Sequence, residues 1–115
     1  MSAGGRSWRF RIEDILESLD KIDRYIAGIE YDAFLADDKT IDAVERNFEI
    51  IGEAVANLPG EVLARYPEIP WSKMRGLRNI LAHEYFGVDV SIIWQTAQED
   101  LPPLRPQLQR ILLED

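Results

Sequence analysis

Apolar residues return every three or four positions along most of this 115-residue chain, and this spacing restricts its fold more than any other feature. The pattern is clearest in the first predicted helix, from about Arg9 to Gly28. Its apolar stripe consists of Ile12, Ile15, Leu16, Leu19, Ile22, Ile26 and Ile29. Because strands require alternating apolar and polar residues, and no segment shows this convincingly, the chain is predicted to be all-α.

Three further long helices follow from the same periodicity. The second starts near Asp38 or Thr40, either of which can cap it, and ends before Pro59. The third begins near Trp71 or Ser72 and runs to about Tyr85 or Phe86, where a glycine follows. The fourth starts at Asp89 or Ser91 and leads toward Leu101. We therefore predict an up-and-down bundle of four main helices.

Shorter elements complete this architecture. A short turn over residues 32–36 is predicted, with Phe34 and Leu35 as its anchors, and the fold is expected to include a short extra helix. Pro102 and Pro103 must kink or break the last helix, and an apolar stripe resumes at Leu104. No linker divides the chain, so residues 9–115 are predicted to form one domain after a flexible tail over residues 1–8.

Composition narrows the setting in which the protein acts. There is no cysteine, so a disulfide framework and a thiolate metal site are excluded, and a cytoplasmic location is favoured. No apolar run reaches the roughly 18 residues that a membrane span needs. The N-terminus also lacks the hydrophobic region of a signal peptide. No membrane association is expected.

The net charge of −8 argues against a general nucleic-acid binder, but the charge is unevenly distributed. Residues 69–83 contain no Asp or Glu, whereas Lys73, Arg75 and Arg78 are basic. A local cationic strip on an acidic protein suits a focused phosphate site. Three basic residues among fifteen also arise often by chance, so charge alone leaves both interpretations open.

The chemistry of the chain concentrates in the segment from Arg78 to Tyr85, which holds the only histidine, His83. Histidine suits acid–base chemistry near neutral pH, and the arginine fork suits phosphate recognition. Together with Arg75 and Asn79, these residues form a plausible phosphodiester site. A lone histidine near a helix end is nevertheless more often a packing or capping residue, and Tyr85 could also simply pack.

A helical wheel of the third helix separates two faces. The core-facing stripe consists of Met74, Leu77, Ile80 and Leu81. The opposite face consists of Arg75, Asn79, Ala82, His83 and Phe86, with Trp71 and Tyr85 close to Arg78. Arg78 and His83 lie about 140° apart on one straight helix. Either two copies share a cleft in a two-fold dimer, or one chain divides the work between histidine and arginine.

Two residues of the second helix bear on this site. Gly52 costs roughly 1 kcal/mol relative to alanine inside a helix, and a close helix crossing would explain it. Glu53 could be a partner for His83 or for an arginine. A zinc site lacks ligands because there is one histidine and no cysteine, and no glycine-rich phosphate loop follows a strand.

The run from Ile69 to Asp89, with Arg78, Asn79, His83 and Tyr85 in the spacing Arg-Asn-x3-His-x-Tyr, resembles the HepT-like branch of the HEPN superfamily. The segments 31–43 and 47–54 resemble it as well. This resemblance implies a homodimeric, metal-independent ribonuclease without cofactors, the toxin of a toxin–antitoxin pair, that cleaves tRNA or mRNA. Arg78 and His83 would be catalytic in a cleft between protomers, and Asn79 and Arg75 would orient them or contact phosphate.

The resemblance also implies a regulatory role for Tyr85, which matches the tyrosine that an MntA-type minimal nucleotidyltransferase antitoxin modifies with AMP. A bulky anionic adduct there would compete for Arg78 and silence the enzyme. Two rival interpretations remain. The chain could be a non-catalytic partner that presents substrate to a nucleotidyltransferase, or a structural helical dimer without a site. Total RNA from cells that express the chain would separate the ribonuclease from both rivals.

Overall fold

A computed structural model describes residues 3–79 and 90–114, with the side chains of the first helix from Trp8 onward. Helices make up the regular structure of both ranges, which contain no strand, so the all-α prediction is confirmed. Within these ranges no helix combines the length and apolarity that a bilayer span requires. The predicted site residues His83 and Tyr85 lie outside the described residues.

The helices follow one another with short connections. In chain order they are α1 (Ala3–Ile26), α2 (Tyr31–Leu35), α3 (Asp38–Ala56), α4 (Gly60–Arg65), α5 (Trp71–Arg75), α6 (Val90–Gln95) and α7 (Leu104–Leu113). A π-helical turn over Thr96–Asp100 follows α6 directly. Residues 77–79 are also helical.

The core lies mainly between α1 and α3, because both helices carry a continuous apolar stripe. Ile12, Ile15 and Ile22 of α1 are almost completely buried, as their spacing predicts. The helix begins earlier than the predicted start at Arg9, and Trp8, which we assigned to a flexible tail, is only 7% exposed. Trp8 belongs to the core because the apolar stripe extends one turn further toward the N-terminus.

Asp37 caps α3, instead of the predicted Asp38 or Thr40. Its carboxylate accepts hydrogen bonds from the Thr40 backbone N–H at 3.1 Å and from the Thr40 hydroxyl at 2.6 Å. These hydrogen bonds favour the ionised form and lower the pKa of Asp37. The two predicted positions were wrong by one and by three residues, because the capping residue precedes the first helical residue and neighbouring polar residues are equally suited to the role.

The short helix α2 is held to the bundle by one of its two predicted anchors. Phe34 is fully buried, and its ring centroid lies 4.9 Å from that of Trp94 in α6. Leu35 is 48% exposed, so its predicted role as an anchor is wrong. Adjacent residues on a helix point about 100° apart, and a single turn can bury only one of the two.

The predicted third helix is interrupted at Gly76. α5 ends at Arg75, and the Asn79 backbone N–H then bonds to the Gly76 carbonyl at 2.8 Å, a tight three-residue spacing. The assumption of one straight helix from Trp71 was therefore wrong. Met74 and Leu77 are buried as predicted. Trp71 is buried as well, with 7% exposed, and its indole N–H donates to the Tyr66 carbonyl at 2.9 Å.

The C-terminal part of the chain shows the predicted break at Pro102 and Pro103. Before it, the helix widens into the π-helical turn, in which the Leu101 N–H bonds to the Thr96 carbonyl at 3.1 Å. The two prolines lack the N–H groups that regular helical hydrogen bonds would need, so the helix cannot continue. Helix α7 then packs on α1.

An ion-pair cluster fastens α7 to α1. The Arg105 guanidinium pairs with the carboxylates of Asp20 and Asp23. Burial alone would lower the pKa of Arg105, but the two carboxylates outweigh it and raise the pKa. The Arg105 guanidinium is thereby committed to a contact between these two helices.

Candidate functional site

The side chain of Arg78 crosses α3 at Gly52, and Gly52 forms the floor of the candidate site. A Cβ atom added to Gly52 would lie 2.5 Å from Cγ of Arg78 and 3.1 Å from the Arg75 carbonyl oxygen. The first distance is far shorter than van der Waals contact allows, so only glycine permits this arrangement. The predicted close crossing at Gly52 is therefore confirmed, and the group that crosses is the stem of the predicted catalytic arginine.

The neighbouring residue on α3, Glu53, holds the other end of the same side chain. Nη1 of Arg78 donates to Oε1 of Glu53 at 2.6 Å, between residues 25 positions apart in sequence. The Arg78 side chain is 35% exposed and that of Glu53 is 55% exposed. Of the two partners predicted for Glu53, the structure shows the arginine. Because a guanidinium has five N–H donors, this one contact leaves others to a ligand.

Arg75 and Asn79 flank Arg78 at the surface. Both side chains are exposed, as the predicted polar face requires. In the described part of the chain Arg75 has no carboxylate partner, so its charge is not neutralised there. Arg75 and Arg78 are three residues apart, and a pair of guanidinium groups suits the recognition of a phosphate.

The basic residues Lys73, Arg75 and Arg78, which form a cationic strip in the sequence, do not form one uniformly positive surface in the structure. Glu53 is brought to Arg78 by α3, and Lys73 lines a cavity of about 540 Å³ together with Glu99 and Asp100. The cavity also has apolar walls, including Met74 and Leu104. Its two carboxylates would repel a phosphate, so Lys73 is not part of the candidate anion site.

Glu53 was only a weak candidate for the site from the sequence, although one feature of the sequence pointed to it. A glycine inside an otherwise apolar helical stripe marks a place where another chain segment comes close. The residue after such a glycine is a natural candidate for contact with the crossing side chain. No comparable signal indicated Asn47, which is 4% exposed and whose Oδ1 has no hydrogen-bond partner among residues 3–79 and 90–114.

Over the ranges 3–79 and 90–114, no group of three or more His, Cys, Asp or Glu side chains is arranged to hold an ion. Glu53, the carboxylate at the site, is paired with Arg78.

Comparison with known proteins places this chain in a family. The family model described as ribonuclease HepT-like matches residues 15–111. A probable ribonuclease HepT from Thermococcus cleftensis is 42% identical over 106 residues, which cover 92% of this chain and 96% of that protein. A protein from Caldanaerobacter subterraneus subsp. tengcongensis, provisionally named an RNase, is 38% identical over 104 residues, or 90% of this chain and 93% of that protein. No solved structure matches the chain.

These similarities define the class of the protein as a small all-helical enzyme that cleaves RNA. The chain belongs to the ribonuclease HepT-like family. The family match spans α3, α5 and residues 77–79, and therefore includes Gly52, Glu53 and Arg78.

Proposed function

We propose that this ribonuclease is a metal-independent endoribonuclease that cleaves tRNA or mRNA in the cytoplasm and acts as the toxin of a toxin–antitoxin pair. The observation that carries the proposal is the Arg78 side chain, which is seated over Gly52, bound by Glu53 and still partly open to a ligand. An arginine held in this way is prepared to receive a phosphodiester group without first having to be ordered.

In the proposed reaction, the RNA 2′-hydroxyl attacks the adjacent phosphorus and the bond to the 5′ oxygen breaks. A general base takes the 2′-hydroxyl proton, and a general acid protonates the leaving oxygen. The products are a 2′,3′-cyclic phosphate and a 5′-hydroxyl. Arg78 stabilises the charge that develops on the phosphate, and His83 serves as base or acid. Asn79, one turn before His83 in sequence, orients the imidazole.

A homodimer would complete this site. Base and acid catalysis by two imidazoles requires two chains, because each chain has a single histidine. A two-fold axis would bring the same face of both protomers together and form a shared cleft.

Regulation of the proposed toxin would act at Tyr85. A nucleotidyltransferase antitoxin would transfer AMP to the tyrosine hydroxyl and release pyrophosphate from ATP. The new phosphodiester is anionic and lies two residues beyond His83 in sequence. It would compete with RNA for the arginines and so silence the enzyme.

Replacing Arg75 with alanine is expected to weaken RNA binding about uniformly across sequences and to leave the cleavage step nearly unchanged. The reason is that an exposed arginine, without a carboxylate partner in the part of the chain that the structure describes, would contact the RNA phosphates and would not recognise individual bases. The measurement is the affinity of the chain for bulk tRNA as a function of salt, whose logarithmic slope should fall by about 1. An unchanged slope would remove Arg75 from the phosphate site.

Expression in cells without any antitoxin tests the proposed function as a whole. The wild type and His83→Ala are expressed in parallel, and total RNA is separated by electrophoresis. Growth arrest with discrete RNA fragments, seen for the wild type only, would support the toxin and place His83 in the site. Intact RNA and normal growth from both, with folded protein present, would favour the alternative of a non-catalytic partner of a nucleotidyltransferase.

A further inference from the structure

We propose that Glu53 is a positioning residue for Arg78 that raises the turnover of RNA cleavage at the expense of RNA affinity. The inference rests on the proposed function and assigns a role to a carboxylate that lies where a phosphate must bind. A negative charge at an anion site needs an explanation, because it opposes the binding of the substrate.

The Arg78 side chain is restrained at two points by consecutive residues of α3. Gly52 leaves room for the aliphatic stem, since a Cβ there would lie 2.5 Å from Cγ of Arg78. Glu53 binds the guanidinium end at 2.6 Å. An unrestrained arginine has several rotatable bonds and would have to be ordered in each catalytic cycle. The two contacts remove that freedom before RNA arrives.

Stability does not explain the ion pair. The side chains of Arg78 and Glu53 are 35% and 55% exposed, and ion pairs with this much solvent access contribute little to folding. The pair nevertheless joins two segments of the chain at one defined place, the crossing over Gly52. A contact with little effect on folding and a large effect on the direction of a guanidinium is what a positioning role requires.

The ion pair between Glu53 and Arg78 is expected to lower the affinity for RNA. The Glu53 carboxylate is in direct contact with the group that would receive the phosphate, and it repels that phosphate at close range. It also neutralises part of the positive charge that attracts RNA to a chain with a net charge of −8. Removal of the carboxylate should therefore affect binding and turnover in opposite directions.

The test measures kcat and KM for cleavage of bulk tRNA by Glu53→Ala and Glu53→Gln. For Glu53→Ala we expect kcat to fall about tenfold, because the guanidinium loses its anchor, and KM to fall about threefold or more, because the repulsion is gone. Glu53→Gln keeps an acceptor oxygen without the charge. It should restore most of kcat while KM stays low, a separation that a merely structural role would not produce.

Glu49→Ala is the matched control, because Glu49 is a carboxylate of the same helix whose side chain is 45% exposed and is paired with Arg46 at 2.9 Å. This substitution removes the same negative charge from α3, one helical turn before Glu53, and should leave kcat unchanged. If Glu53→Ala and Glu49→Ala behave alike, or if KM rises in Glu53→Ala, the inference is wrong.

A binding measurement keeps this inference separate from the proposed function. The affinity for bulk tRNA is measured by fluorescence anisotropy, and the guanidinium NMR signals of Arg78 are recorded without RNA. Tighter binding by about threefold and a more mobile guanidinium in Glu53→Ala are expected whether or not the wild type cleaves this RNA. Cleavage by the wild type with unchanged affinity and unchanged Arg78 signals in Glu53→Ala would overturn the role of Glu53 alone. Absence of cleavage with the expected changes would instead count against the proposed function.

Discussion

Arg78→Ala is expected to slow RNA cleavage by about 10²–10³-fold, the loss typical of removing one group that stabilises transition-state charge. The guanidinium is partly exposed, and its ion pair with Glu53 contributes little to folding, so the protein should remain folded. The loss should appear mainly in kcat, because the charge on the phosphate grows as the transition state forms. The measurement is the initial rate of tRNA cleavage, with circular dichroism to confirm the helical fold.

Arg46→Ala is the matched control for this prediction. Arg46 is also an arginine paired with a glutamate, and its side chain is 66% exposed on α3. Its replacement changes the net charge of the protein equally and should leave the cleavage rate within about twofold of the wild type, because exposed ion pairs away from a site have small effects. Equal losses in both variants would mean that the overall charge matters and the Arg78 site does not.

Gly52→Ala is expected to reduce cleavage by about tenfold to a hundredfold through displacement of Arg78. The added methyl group would lie 2.5 Å from Cγ of Arg78 and 3.1 Å from the backbone oxygen of Arg75, so the arginine stem must move. Alanine favours the helix by about 1 kcal/mol relative to glycine, which offsets part of the crowding. A variant with lost activity and a nearly unchanged melting temperature is therefore the expected result.

Gly60→Ala provides the comparison for this substitution. Nothing lies within 4 Å of a Cβ added at Gly60, the first residue of α4. The same chemical change is thus made where there is open space, and the cleavage rate should not fall. Full activity in Gly52→Ala would show that the close crossing does not position Arg78.

Much of the fold could be predicted from local pattern because burial of an apolar stripe is decided within each helix. The long helix α3 and the break at Pro102 are of this kind. The interruption at Gly76 and the exposure of Leu35 were not predicted. Both depend on how a short segment meets its neighbours, and periodicity contains no information about that geometry.

The candidate site also contains features that the sequence predicts and features that depend on how two segments meet. Arg78 could be singled out by its chemistry and by the motif around it, and Gly52 by the cost of a glycine within a helix. The pairing of Arg78 with Glu53 joins residues 25 positions apart and depends on the angle at which two segments cross. A helical wheel treats one helix at a time, so it cannot identify a partner on another helix.

Cleavage of tRNA by the purified chain in excess EDTA, with analysis of the new RNA ends, tests the central claim most directly. If Arg78 and His83 supply the chemistry, the wild type cuts without metal and leaves 5′-hydroxyl and 2′,3′-cyclic phosphate ends, and Arg78→Ala does so at about 10²–10³-fold lower rate. Cleavage that requires added Mg²⁺, products with 5′-phosphate ends, or undiminished cleavage by Arg78→Ala would contradict the account.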